Sequence, residues 1–193
     1  MALGFTVFSL TIKSSASWYL AWVLVLVCFP IPLLAQSYYA ENGTANFTSS
    51  VPLYEFTGTS KQLTGLINFT DNSVDFYLDL ETLDSGIKKR DKDMRLTLET
   101  KKFPFAEFYG SLLDSVDLTN LNPQTIRTRG NFSIHGVSQE LDVEGEITVE
   151  QNALHLKANW EIRLDDFDIV PPSLLLVKVD QIQKVSIDIR LEK

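Results

Sequence analysis

Over residues 154–164 every even-numbered residue is apolar and every odd-numbered one polar: Leu154, Leu156, Ala158, Trp160, Ile162 and Leu164 against His155, Lys157, Asn159, Glu161 and Arg163. Successive side chains of a β-strand point to opposite faces, so period two describes a strand with one wet and one apolar face. The same alternation recurs over residues 76–80, 126–134, 141–149 and 185–191. A chain built this way has to put several one-sided strands together around a shared apolar interior.

Turn-forming residues separate the runs. Thr70-Asp71-Asn72-Ser73 joins a strand near 63–69 to one near 74–82, His135-Gly136-Val137-Ser138 joins 125–134 to 139–149, and Gln151-Asn152 joins 139–149 to 153–164. Links this short connect antiparallel neighbours. Further strands are expected near 45–58, bent at Pro52, and near 105–113 and 182–192, which makes about eight. The segment from Asp91 to Glu99 breaks the alternation: Met94 and Leu98 stand four apart behind Asp91 as N-cap, which predicts one short helix. Strands with one apolar face and no helices to cover a sheet leave a sandwich or a closed barrel. Long strands and tight hairpins favour the all-β, lipocalin-like, antiparallel up-and-down barrel, which at eight strands can hold one small ligand.

The N-terminal 35 residues are of a different kind. Their one charge is Lys13, followed by an apolar run and then Pro30, Pro32 and Ala35. This order describes a secretory signal peptide, with cleavage expected after Ala35 and a mature domain of residues 36–193. Two other readings stay open: an uncleaved membrane anchor, for which the run is short and proline-broken, and a lipoprotein acylated at Cys28. Cys28 is the one cysteine of the chain, so the mature part has no disulfide or thiolate metal site. Without Lys13, 16 basic side chains stand against 25 acidic ones, a net −9. That charge argues against nucleic acid as a partner and against broad adhesion to anionic membranes. Membrane contact is expected to be transient, or to come through an uncleaved signal segment.

The motifs, taken in order, carry a resemblance. They are Phe56-Thr57-Gly58-Thr59-Ser60, Leu63-Thr64-Gly65, the run Ser85-Gly86-Ile87-Lys88-Lys89-Arg90-Asp91-Lys92-Asp93-Met94, Phe103-Pro104-Phe105-Ala106-Glu107-Phe108, Ile134-His135-Gly136-Val137 and Asp166-Phe167-Asp168-Ile169. In this order and spacing the chain resembles the YceI-like family of exported polyisoprenoid-binding proteins across nearly all of the mature part. The family pattern often carries Gly where this chain has Asp168. The resemblance implies a barrel that takes up an isoprenoid or similar long-chain amphiphilic lipid, in the periplasm or outside the cell. It implies binding rather than catalysis, and no cofactor.

The parity of the strands places Phe76, Leu78, Leu80, Ala106, Phe108, Phe132, Ile134, Leu141, Val143, Leu154, Leu156, Trp160, Ile162, Val185, Ile187 and Ile189 inside the barrel. They either line a lipid cavity or fill a solid core; the second case is a structural or interaction barrel of the cell envelope without a small ligand. Lys88, Lys89 and Arg90, just before the expected helix, are either a cationic contact for a ligand head group or a solvated loop. His135 in a tight turn and His155 on a wet face have no partner at metal-ligand spacing. Asp165, Asp166 and Asp168 read as strand-end charges. No G-x-S-x-G, H-E-x-x-H, P-loop or dinucleotide motif occurs.

Overall fold

In a computed structural model the structure describes residues 36–51, 54–171 and 179–193. All of them belong to one unit, Ala35–Lys193. The expected signal segment with its cleavage site and Cys28, and the expected bend at Pro52, lie outside the described residues.

Eight strands follow one another: β1 Ser37–Val51, β2 Tyr54–Asn68, β3 Ser73–Asp79, β4 Phe105–Leu112, β5 Gln124–Ile134, β6 Val137–Val149, β7 Ala153–Arg163 and β8 Ile182–Glu192. Each pairs antiparallel with the next, and β8 pairs with β1. The result is a closed up-and-down barrel, a form that leaves no free sheet edge. The alternation read from the sequence is the alternation of burial. In β5, Ile126, Thr128, Gly130, Phe132 and Ile134 are buried while Arg127, Arg129 and Asn131 are exposed. Arg129 crosses to Asp142 on β6, and Arg127 to Asp114, so the wet face is laced by ion pairs at 2.6 and 2.7 Å.

Two expected elements differ. The strand expected over 45–58 is parts of two strands: Val51 pairs with Tyr54, so the chain reverses there. The pairing of β1 with β2 also slips between Ala40 and Gly43 and again between Gly43 and Ala45. Bulges of this kind shift which parity faces inward, which conceals the continuity of both strands.

The helix, α1, runs Lys88–Thr97 with Ile87 at its N-cap and no side-chain cap bond. Asp91 is therefore inside the helix, and Lys88, Lys89 and Arg90 form its first turn rather than a connecting loop. Asp91 reaches back to accept from the Ser85 N–H at 2.9 Å and from Ser85 Oγ at 2.6 Å. Gly86 between them has φ +75, a left-handed conformation that disfavours side chains.

The barrel has two unlike ends. At the lower end, which carries the β2–β3 and β6–β7 hairpins, Tyr38, Leu112, Ile147, Val149, Leu154 and Leu191 close a solid floor. At the upper end lie the β5–β6 hairpin, α1 and two short 3-10 segments, Leu80–Thr82 and Leu164–Phe167. β6 and β7 pair only over Gly145–Val149 and Leu154–Ala158, next to their hairpin at the lower end, and nearer the upper end the Leu164–Phe167 segment packs against β6. His135, in the two-residue turn between β5 and β6, has φ 56, and its Nδ1 lies 3.1 Å from the Phe167 carbonyl oxygen. Gln139 on β6 donates to the Asp166 carbonyl at 2.9 Å. Asp168 ends the segment with φ 53, the left-handed conformation in which Gly is otherwise preferred.

Candidate functional site

Above the floor the barrel is hollow. A cavity of about 410 Å³ occupies its upper part, within the 300–1,000 Å³ range of small-molecule sites. Ile67, Val74, Ile126 and Leu156 lie at its base. Gly65 pairs with Phe76, and a Cβ there would sit 2.3 Å from the Phe76 ring. That glycine leaves the ring the space it takes on the wall.

The sixteen interior residues singled out by strand parity fall into two groups. Phe76, Leu78, Leu80, Ala106, Phe108, Phe132 and Ile134 line the cavity, as do Val143, Leu156, Trp160, Ile162, Val185 and Ile187. Leu154 and Ile189 do not: at 0% and 1% exposure they belong to the floor. Leu141 packs against the core cluster from a half-buried position and does not reach the cavity. On the wall, Phe132 meets Trp160 edge to face at 6.1 Å and Phe167 at 5.5 Å, so an aromatic corner spans the place where β6 and β7 part.

Of the basic triplet, Lys89 and Arg90 line the cavity and Lys88 is exposed. The Arg90 guanidinium stacks over the Phe56 ring at 4.5 Å. Asp93 also lines this region and is half-buried, whereas Glu107 is exposed on the outward side of β4.

The parity reading missed several lining residues. Ser49, Phe56 and Leu63 lie on the two bulged strands. Met94 on α1 and Leu98 at its C-cap, four apart, line the cavity from above; their spacing was the signal that marked the helix. Gln183 on β8 lines the wall as a buried polar side chain, 5% exposed, and donates to the Asp180 carbonyl.

Polar contacts tie α1 to the barrel. Thr59 of β2 and Asp84 exchange both backbone bonds at 2.9 Å, and Ser60 Oγ lies 2.6 Å from Thr82 Oγ1. Arg95 donates to the Glu81 carbonyl at 3.0 Å. The two Ser85 bonds, aided by Arg95 and Arg90, hold the Asp91 carboxyl below the usual carboxylate range. Asp91 is thus a charged, buried peg between the helix and the segment leading into it.

Both histidines are engaged in hydrogen bonds. His135 makes the Phe167 contact, and His155 Nε2 lies 2.7 Å from Asp188 Oδ1 on β8. Among the described residues no cluster of three His, Cys, Asp or Glu could hold a metal ion. Asp165, Asp166 and Asp168 are exposed at the end of β7. Among the described residues no helix is long and apolar enough to cross a membrane.

A closed eight-stranded antiparallel barrel, solid at one end and hollow and apolar at the other, defines a ligand-holding barrel in the architectural sense. The chain belongs to the YceI-like family, whose domain model matches residues 39–192. None of the curated proteins compared with the chain matches it. Solved structures match in fold. A polyisoprenoid-binding domain from Saccharophagus degradans, implicated in plant cell wall breakdown, superposes with a TM-score of 0.69 at 18% identity, over 82% of this chain and 98% of its own. BcnA of Burkholderia cenocepacia gives 0.64 at 12% identity, over 78% and 96%. A Campylobacter jejuni YceI protein gives 0.53 at 12% identity, over 100% and 93%.

Proposed function

We propose that this protein sequesters or carries an isoprenoid-type lipid in the upper part of its barrel, and that it does so as an exported, non-enzymatic binding protein of the periplasm or cell exterior. The observation that carries this reading is the apolar cavity of about 410 Å³ in a barrel whose other half is packed solid. The chain fills its lower half with ordinary Leu, Ile and Val, so the upper half is open by choice of residues and not for want of them. Membership of the YceI-like family supports the reading, as does the fold shared with a polyisoprenoid-binding domain. Export rests on the charge-poor N-terminal 35 residues.

Organic extraction of the purified protein, followed by mass spectrometry, tests the proposal. A stoichiometric apolar compound is expected. A protein that yields none and takes up no isoprenoid on incubation is a structural or interaction barrel instead.

A further inference from the structure

The outward side of α1 is unlike the rest of this acidic molecule. Arg90, Met94 and Leu98 stand four apart and line the cavity. Lys88, Lys92 and Leu96 are offset from them by two positions, about 200° around a helix, and so form the opposite side. All three are exposed, Leu96 at 66%. Because α1 lies across the upper end, that side faces away from the barrel. Beside it Tyr54, Ile87 and Lys89 border the cavity and are themselves exposed, Tyr54 at 58% and Ile87 at 49%. The rim of the cavity thus joins exposed apolar side chains, Tyr54, Ile87 and Leu96, to exposed lysines, Lys88, Lys89 and Lys92.

The positive charge is local. Along α1 the cations Lys88, Lys89, Arg90, Lys92 and Arg95 stand against Asp91 and Asp93. Asp91 is buried in its bonds with Ser85, and Arg95 pairs with Glu81 at 3.3 Å. Of the acids near the start of the helix, Asp84 accepts from the Gly86 N–H and Glu55 from Ser50 Oγ. Asp165, Asp166 and Asp168 lie toward its other end. There Glu99, just past α1, comes within 4.0 Å of His135, whose Nδ1 meets the Phe167 carbonyl. The upper end is therefore basic toward β2, where Arg90 stacks on Phe56, and acidic toward the end of β7. Exposed charges are screened over about 8 Å at physiological ionic strength, so the acidic barrel does not cancel the lysines in a contact made by α1.

We propose that the outward side of α1, with Tyr54 and Ile87, docks the rim of the barrel onto a lipid surface that carries anionic head groups. The apolar side chains enter the interface and the lysines meet the head groups, the combination by which amphipathic helices bind membrane surfaces. A soluble polyanion would use the lysines and leave Tyr54, Ile87 and Leu96 in water. The inference rests on the lipid-binding proposal for its purpose: it sets the cavity against the phase that supplies its ligand.

The test is cosedimentation of the full chain with vesicles free of isoprenoid, either phosphatidylcholine alone or a phosphatidylcholine–phosphatidylglycerol mixture. Wild type should prefer the anionic vesicles, and high salt should erode the preference. K88S/K92S should bind them about thirtyfold more weakly, at about fivefold for each lysine near such a surface. Leu96→Ser should weaken binding and Leu96→Trp strengthen it, and the emission that L96W adds should shift to the blue on anionic vesicles. All these variants should melt within a few degrees of wild type, because the side chains replaced are exposed. They share the N-terminal segment, so their differences report on α1. If K88S/K92S binds like wild type, the docking surface is overturned. It is overturned as well if the lysines matter but Leu96→Ser is silent and the L96W emission ignores the vesicles; α1 is then a site for a soluble polyanion. Either result leaves the cavity proposal standing, since no isoprenoid is present. A protein that docks in this way yet yields no lipid on extraction would refute the cavity proposal and keep the docking surface.

Discussion

The floor and the upper half of this barrel are made from the same strands and the same kinds of residue, yet one is solid and the other hollow. Leu154 and Leu156 stand two apart on β7, both inward, both at or below 4% exposure. The first fills the floor and the second borders the cavity. Identity does not separate them; depth along the barrel does. Below Leu156 opposed side chains from all round the barrel meet. Above it they stop short of one another, and α1 and the Leu164–Phe167 segment lie across the end instead. Stability and binding are therefore divided between the two ends of one sheet.

Truncations at the two levels test that division most severely. Leu154→Ala should cost about 4 kcal/mol, toward the upper part of the range for buried leucines, because its neighbours are packed on every side. Leu78→Ala, on the cavity wall and 8% exposed, should cost about 2 kcal/mol, since one side of the side chain already lacks partners. Urea unfolding of both variants gives the comparison. Equal losses would mean that the upper half is packed as tightly as the floor.

A smaller effect is expected where the helix is pegged. Asp91→Asn keeps an oxygen for Ser85 but removes the charge, and should cost about 1 kcal/mol at neutral pH. The folded Asp91 carboxyl titrates below its ordinary range because Ser85 donates to it twice. A lowered folded value stabilises above the unfolded pKa of about 3.9 and loses that contribution as pH falls through the folded value. The difference between wild type and variant should thus be full at neutral pH and shrink toward zero in strong acid. Asp114 and Asp142, which also titrate low beside Arg127 and Arg129, are present in both proteins and drop out of the difference. A gap that persists in acid would assign the loss to geometry and not to charge.

The same contrast explains what could be read from the chain alone. Strands β5 to β8 keep strict parity, and their inward residues follow from it. In β1 and β2 two bulges move the inward set from Ala40 to Gly43 and Ala45, so period two fails where the strands continue. The start of α1 was hidden because the partner of Asp91 is Ser85, six residues earlier, through a Gly86 whose φ is positive. A local capping pattern around Asp91 points four residues too late. The cavity itself was only half legible. Parity says which side chains face in, but whether they meet in the middle depends on barrel closure and on what lies across its end. That is why Leu154 and Ile189 looked like site residues and are floor, and why Ser49 and Gln183, polar residues on an apolar face, gave no signal.

The least effect is expected at the basic first turn of α1. Replacing Lys88, Lys89 and Arg90 by Ser removes three cations from a helix N-terminus, where the helix dipole disfavours positive charge by about 0.3–1 kcal/mol each at exposed sites. It also removes the stacking of Arg90 on Phe56, worth about 0.5–1 kcal/mol at the surface. The two terms oppose each other, and beyond them the triplet adds only the smallest of the contributions that keep Asp91 charged, that of Arg90. In a domain of this size 1 kcal/mol moves the melting temperature by about 2–4 °C, so the variant should melt within a few degrees of wild type, and above it if the dipole dominates. The triplet should show itself in ligand choice instead. With Lys89 and Arg90 gone, Asp93 is left unbalanced at the upper end, so an anionic amphiphile should lose affinity while a neutral one is nearly unchanged. Raising salt should shrink the difference between wild type and variant, because these charges are exposed and screened. A large fall in melting temperature would make the triplet part of the scaffold; equal losses for neutral and anionic probes would mean that it shapes the opening and does not read charge.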